Sequence, residues 1–348
     1  MKIVHVAPPD EPVPPKKYGG IELVVYNMCE EMVKMGHEVH LFASGDSKSS
    51  AILHPLFDIS LREMLGSSYG TMRHFYKIYS ASKAVKGIVE INPDIVINHA
   101  DWRYLMLSPI TSAPVINVCH VLKQRPEDLE TFKLFKDSNY VSISDNQRKA
   151  MPHLNWSKTI YNGIDTSRFD FVADKGDYFA FLGRTSPDKG LGEICQMIRK
   201  TNHKLKIGAK IDYQDSVAYE YYKTQVEPYI DGEQIEFLGE IDHAQKNELL
   251  KHAKALLIWL NWEEPFGMVF PEAYACGTPV IGNNRGSLPE IVENGKTGFL
   301  IDSIEEMAKK LDQVDMIDRA YCRKHVQDHF SQETMAEAYI KLAKEIIG

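Results

Sequence analysis

Glu264 and Glu272 stand on either side of Pro265-Phe266-Gly267-Met268-Val269-Phe270-Pro271, one carboxylate before a glycine and one after it. Upstream, the apolar run Ala255-Leu256-Leu257-Ile258-Trp259-Leu260 reads as a buried strand that Pro265 stops. Gly267 through Cys276 then reads as a helix whose first amides, around Gly267, Met268 and Val269, lack intrahelical partners. Such amides attract phosphate. Pro265 keeps Glu264 out of the helix, in a loop that faces whatever those amides hold, while Glu272 is expected more than one turn inside. The two acids therefore need different tasks.

A second segment supplies cations. Gly183-Arg184-Thr185-Ser186-Pro187-Asp188-Lys189-Gly190 follows a buried strand and opens a helix. Arg184 offers a planar fork and Lys189 a point charge, together suited to the charge that builds on a departing diphosphate. Taken alone, the same residues are explained by a solvated loop. Gly19-Gly20 follows a Pro-rich loop (Pro8, Pro9, Pro12, Pro14, Pro15) and precedes a helical pattern, so a ligand can approach the backbone there. Val115 to His120 reads as a buried strand that delivers His120 to its carboxyl end; a purely structural histidine is the competing explanation. Neither a G-x-G-x-x-G fingerprint nor a Walker A pattern occurs, which disfavours nicotinamide enzymes and P-loop NTPases.

Short apolar runs alternate with helical stretches from Ile3 to Ser144, and the rhythm restarts at Tyr178 and continues to Gly282. That alternation predicts an α/β chain with two parallel sheets, hence two Rossmann-like domains. The stretch from Asn155 to Lys175 has little periodicity and reads as a hinge or linker; a helical pattern from Met316 to Ile347 ends the chain. A length of 348 residues and a hydrophobic fraction of 44% suit two cores. Net charge is −8, and residues 1–157 carry 17 basic and 17 acidic groups, so the acidic excess lies downstream. Nucleic-acid binding is disfavoured by that balance. The five cysteines (Cys29, Cys119, Cys195, Cys276, Cys322) form no C-x-x-C pair and read as buried thiols in a reducing compartment. With no apolar run long enough for a membrane span and no signal-peptide core, cytoplasmic residence is the expectation. Arg73, Lys77, Lys83 and Lys86, with Tyr76 and Tyr79, leave a peripheral membrane contact open, although a solvated helix face explains them more simply.

The Glu264–Glu272 segment, followed by Cys276-Gly277-Thr278-Pro279-Val280, resembles the retaining nucleotide-sugar glycosyltransferases of family 4. Three further segments match in order: Gly19-Gly20-Ile21-Glu22 resembles that family's N-terminal glycine pair, Asn162-Gly163-Ile164-Asp165 with Phe169 its domain-junction motif, and Gly183-Arg184 with Lys189-Gly190 its diphosphate clamp. The resemblance implies a GT-B architecture, two Rossmann-like domains facing across a cleft. Residues 1–157 with about 331–348 would form the N-terminal, acceptor-side domain and 158–330 the nucleotide-sugar domain, the last helix crossing back to the first.

It also implies roles for particular residues. Glu264 would oppose an oxocarbenium-like charge, Glu272 would hold ribose hydroxyls, and His120 would contact a donor-sugar hydroxyl. Arg184 and Lys189 would take the diphosphate, with Gly19, Gly20, Asn162, Leu238, Gly267, Met268 and Val269 completing the donor site. Two departures from the family pattern stand out: Val121 replaces the Asp that often follows the histidine, and Lys210 falls where many relatives carry glycine.

The reading that follows is a hexosyltransferase moving sugar from a UDP- or GDP-sugar to an unidentified acceptor hydroxyl by front-face substitution, with no cofactor beyond that co-substrate. An epimerase acting on nucleotide sugars is the enzymatic alternative, and a two-domain sugar-binding protein the non-enzymatic one. No Asp-x-Asp occurs, and no His or Cys spacing suggests a metal site. Turnover with an identified donor is therefore expected to survive excess EDTA; loss of activity that Mg²⁺ or Mn²⁺ restores would refute the metal-free expectation.

Overall fold

A computed structural model describes residues 1–16, 19–121 and 125–348. The chain divides into two units, Met1–Gly163 with Gln332–Gly348 and Ile164–Ser331.

The first unit is built on β1 (Lys2–Val6), β2 (Glu38–Ala43), β3 (Ile52–Pro55), β4 (Ile95–Asn98), β5 (Val115–Cys119), β6 (Asn139–Ser142) and β7 (Trp156–Thr159). They lie in the order β3-β2-β1-β4-β5-β6-β7, every pairing parallel. Ile3, Val4, Ile95, Val96, Ile97 and Ile116 are fully buried, as a sheet covered on both faces requires. The edges β3 and β7 have half-buried or exposed side chains, and Trp156-Ser157-Lys158-Thr159 carries no apolar run. The stretch expected as a linker thus contains a strand, and its pairing with β6 carries the first unit on to Gly163. Gly163 is then held twice within that unit: its carbonyl accepts from Asn27 Nδ2 at 3.2 Å and its N–H reaches Met335 Sδ at 3.1 Å. Met335 lies on the terminal helix Gln332–Ile347, which packs on the helix Gly20–Lys34. The expected single helical stretch at the chain's end is two helices, Arg319–His329 and Gln332–Ile347.

The second unit has β8 (Tyr178–Arg184), β9 (Lys204–Lys210), β10 (Ile235–Gly239), β11 (Leu256–Ile258), β12 (Val280–Asn283) and β13 (Gly298–Ile301), ordered β10-β9-β8-β11-β12-β13 and all parallel. The order reverses between β8 and β11, and in open α/β sheets ligands collect at the carboxyl ends around such a reversal. One guanidinium ties this unit's back together. Arg319 is 7% exposed and donates to the carbonyls of Val172, Lys251, Ala253 and Cys276 and to Thr278 Oγ1, at 2.7–3.2 Å. Removing those donors would orphan several buried acceptors at once. Arg319→Leu is expected to cost at least about 3 kcal/mol of stability, read as a fall in the urea midpoint; an unchanged midpoint would show that solvent replaces the clamp.

Candidate functional site

The glycine after Pro265-Phe266 sets the local geometry of the second unit's site. Gly267 has φ +81, a left-handed conformation that no helix accommodates, so the helix starts at Val269 and runs to Ala275. This corrects two expectations. The helix is shorter than Gly267 to Cys276, and Glu272 lies in its first turn rather than beyond it. Glu264 is in the preceding loop.

That loop and the one after β8 are stitched together. Asn261 N–H donates to the Asp188 carbonyl at 2.9 Å, and Asn261 Nδ2 donates to the Pro187 carbonyl at 2.9 Å. Gly190 has φ +62, and a Cβ there would sit 1.9 Å from the Trp259 carbonyl oxygen, so only glycine lets the loops approach this closely. The ties bring Lys189 Nζ into an ion pair with Glu264 Oε2, to which Trp262 Nε1 also donates at 3.2 Å. Lys189 lies 4.9 Å from the centre of the Trp262 ring, and its side chain and that of Glu264 are only 19% and 12% exposed. Arg184, more open, donates to Asp188 at 3.1 Å.

Glu272 is buried, and Lys246 donates to its Oε1. At the end of β10 the pairing with β9 skips from Phe237 to Gly239, so Leu238 bulges out of the ladder and is exposed. Lys210 pairs with Glu240 at 3.7 Å. Neither Trp262, Asn261 nor Lys246 was singled out from the sequence. Asn261 and Trp262 fall in a stretch whose neighbours carried the signal, while Lys246 is remote in sequence and gave none.

Gly19, Gly20 and His120 line one cavity of about 500 Å³ in the first unit. Glu22, Trp102, Arg103 and His99 line it as well. Lys77 pairs with Asp10 at 2.7 Å, and Arg103, paired with Asp101, donates to His74 Nδ1 at 2.5 Å with its guanidinium 4.2 Å from the centre of the Trp102 ring. Asn162 is buried beside Gly163, at the end of this unit's main segment. All five cysteines are buried and unpaired, their thiols pushed up by burial. Away from these residues, and against the expectation that no His or Cys spacing suggests a metal site, Glu293, His325 and His329 bring possible ligand atoms within 4.8 Å of one another, the two histidines standing at i,i+4 on one helix. No helix among the described residues is long and apolar enough to cross a membrane.

The model of Glycosyltransferase Family 4 matches residues 18–168, and that of Glycosyl transferases group 1 matches residues 164–325. An uncharacterised glycosyltransferase of Methanocaldococcus jannaschii is 23% identical, the alignment covering 96% of this chain and 97% of that protein. N-acetyl-alpha-D-glucosaminyl L-malate synthase of Bacillus anthracis is 23% identical over 94% of each. The crystal structure of Anabaena HepE in complex with UDP and glucose superposes with a TM-score of 0.74 at 17% identity, covering 99% of both chains. The chain belongs to the glycosyltransferases of family 4, and its two Rossmann-like units have the GT-B fold.

The first unit's cavity carries a pH signature. Burial, with the nearby charges of Asp10 and Glu11, pushes the Glu22 carboxyl up to about 7. The folded chain therefore keeps a proton that an unfolded glutamate releases near its ordinary 4.5, so this group's contribution to stability falls as pH rises from about 4.5 to about 7. Glu22→Gln is expected to gain stability over the natural chain as pH is raised from 5 to 8, by roughly 2–3 kcal/mol at the upper end. Urea midpoints of both proteins across that range check this; a difference independent of pH would contradict it.

Proposed function

We propose that the chain is a retaining hexosyltransferase that moves a sugar from a UDP- or GDP-sugar to an acceptor hydroxyl without a metal ion. The observation that carries this reading is the Lys189–Glu264 pair at the neighbouring carboxyl ends of β8 and β11. A cation and a carboxylate side by side match the two charges that separate when a glycosyl–phosphate bond breaks. Lys189, with Arg184, would take the negative charge growing on the leaving diphosphate, and Glu264 would face the positive charge growing on the sugar ring. A diphosphate needs little protonation to leave, so no acid-and-nucleophile pair is required. Departure and attack on one face, with the leaving phosphate taking the acceptor's proton, is the mechanism these residues suit best.

Glu272 would hold the ribose, sharing its carboxylate with Lys246. The bulged backbone at Leu238 would meet the base, and the first amides after Gly267 the phosphates. Gly19, Gly20 and His120 would meet the sugar and the acceptor, and Asn162 would complete the donor site. Because the Anabaena protein's complex holds UDP and glucose, a uridine sugar is the first donor to try. The malate of the Bacillus enzyme's name makes small hydroxy acids reasonable first acceptors.

Lys189→Ala is expected to weaken UDP or GDP binding by about 1.5–3 kcal/mol, and calorimetry showing unchanged affinity for both nucleotides would remove the clamp. Glu264→Gln should keep nucleotide affinity and lose most of kcat, because its charge gains value only as the sugar becomes cationic. Glu272→Ala, by contrast, should raise the donor KM and lower the melting temperature, since it leaves Lys246 without its buried partner. Steady-state kinetics beside thermal melts separate the two acids, and a Glu264→Gln enzyme with normal kcat would sink the catalytic assignment.

A further inference from the structure

Three imidazoles stand in a row across β1, β4 and β5. His5 is fully buried within β1, while His99 and His120, 3% and 7% exposed, follow the last residues of β4 and β5. His5 Nδ1 lies 3.1 Å from His99 Nε2, and His99 Nδ1 lies 3.0 Å from His120 Nε2. Successive rings are nearly parallel, tilted by 13° and 26°. The row has one dead end and one live end. At the dead end, His5 Nε2 is buried with no partner among the described residues. At the other, His120 lines the 500 Å³ cavity and, with Nε2 turned to His99, has only Nδ1 left to offer it.

Burial keeps all three rings neutral at ordinary pH, holding His5 near 3, His120 near 4 and His99 well below its usual value. A neutral imidazole carries one N–H and one lone pair, and each contact in the row consumes one of each. Only two arrangements satisfy both contacts. In one, every proton is on Nδ1, the hydrogen bonds run from His5 toward the cavity, and the buried nitrogen of His5 is a bare lone pair. In the other, every proton is on Nε2, and His5 buries an N–H with nothing to accept it. Orphaned buried N–H groups are rarer than under-used acceptors, so the first arrangement prevails.

We propose that His5 and His99 are positioning residues that lock His120 in the Nδ1–H tautomer, so that it meets the ligand as a hydrogen-bond donor to an oxygen. The recognition half of this proposal rests on the transferase reading above; the tautomer half does not. His120 is accordingly not a base in the reaction, and the group it recognises is a hydroxyl or phosphate oxygen with a lone pair to give.

The test is a multiple-bond proton–nitrogen spectrum of the full chain labelled with ¹⁵N-histidine, His120 being assigned by its loss in His120→Gln. In the natural chain His120 Nε2 should resonate as an unprotonated nitrogen and Nδ1 as a protonated one, a result that needs no core variant. His99→Asp, which puts an acceptor where Nδ1 donates, should draw the proton to His120 Nε2, whereas His99→Asn, whose amide nitrogen takes the place of Nδ1 and still donates, should hold it on Nδ1. An Nε2–H signal in the natural chain, or an Nε2 that stays unprotonated in folded His99→Asp, overturns the lock.

With a donor that turns over, His99→Asp should lose about tenfold in kcat/KM, and His99→Asn should keep most of it. Normal kinetics in a His99→Asp enzyme whose Nε2 has gained the proton would overturn the recognition role while leaving the lock. Failure of every nucleotide sugar to bind or react would instead count against the transferase reading, and the spectrum of the natural chain would still decide the tautomer.

Discussion

The parallel pairing of β8 with β11 is the constraint on which the second unit's candidate site depends. Adjacent strands lie about 4.8 Å apart, so the loops leaving their carboxyl ends have to share one small volume. Asn261 fills part of it with hydrogen bonds to the Pro187 and Asp188 carbonyls, and Gly190 clears the rest by carrying no side chain against Trp259. What remains is one place where a cation from the first loop and a carboxylate from the second meet. Lys189 and Glu264, 75 residues apart in sequence, are neighbours because two strand ends are. Held by backbone contacts rather than by their own flexible stems, such charges need little reorganisation when charge develops nearby, which is where electrostatic catalysis gains most.

The first unit solves a different problem. Its cavity is lined with charged groups, yet many are matched within the wall itself: Lys77 with Asp10, Arg103 with Asp101, Arg125 with Asp128. The three histidines escape charge by protonation state rather than by pairing, and burial drives Glu22 in the same direction, holding its proton up to about pH 7. A cavity of this kind presents oriented dipoles more than net charge, and so discriminates by the direction of hydrogen bonds.

Central strands were legible in the sequence because burial on both faces writes itself as unbroken apolar residues, as in Ile95-Val96-Ile97 and Ala255 to Leu260. Of the edge strands, β10 was legible, but β3, β7 and β13 were not. β7 is Trp-Ser-Lys-Thr, and β13 is four residues headed by a glycine, so neither the alternation nor the length that marks a strand is present. The loop position of Glu264 followed from Pro265, whereas the start of the next helix hung on the backbone angle of Gly267, which composition does not disclose. Partners across space were the least visible. Lys246 beside Glu272, and His5 beside His99, are brought together by sheet and helix packing between segments that carry no shared local pattern.

Arg319 has a consequence for how the second unit responds to its medium. Its charge is solvated by carbonyl dipoles, with no carboxylate partner among the described residues, and it is almost wholly out of water. Mobile ions screen exposed charges strongly and buried ones weakly. The Arg184–Asp188 pair, with side chains 42% and 27% exposed, sits at the opposite extreme. Ionic strength therefore reaches the surface that would greet an anionic ligand long before it reaches the joint that keeps the unit's back closed, and a concentrated electrolyte can loosen the grip of the site while its scaffold stands.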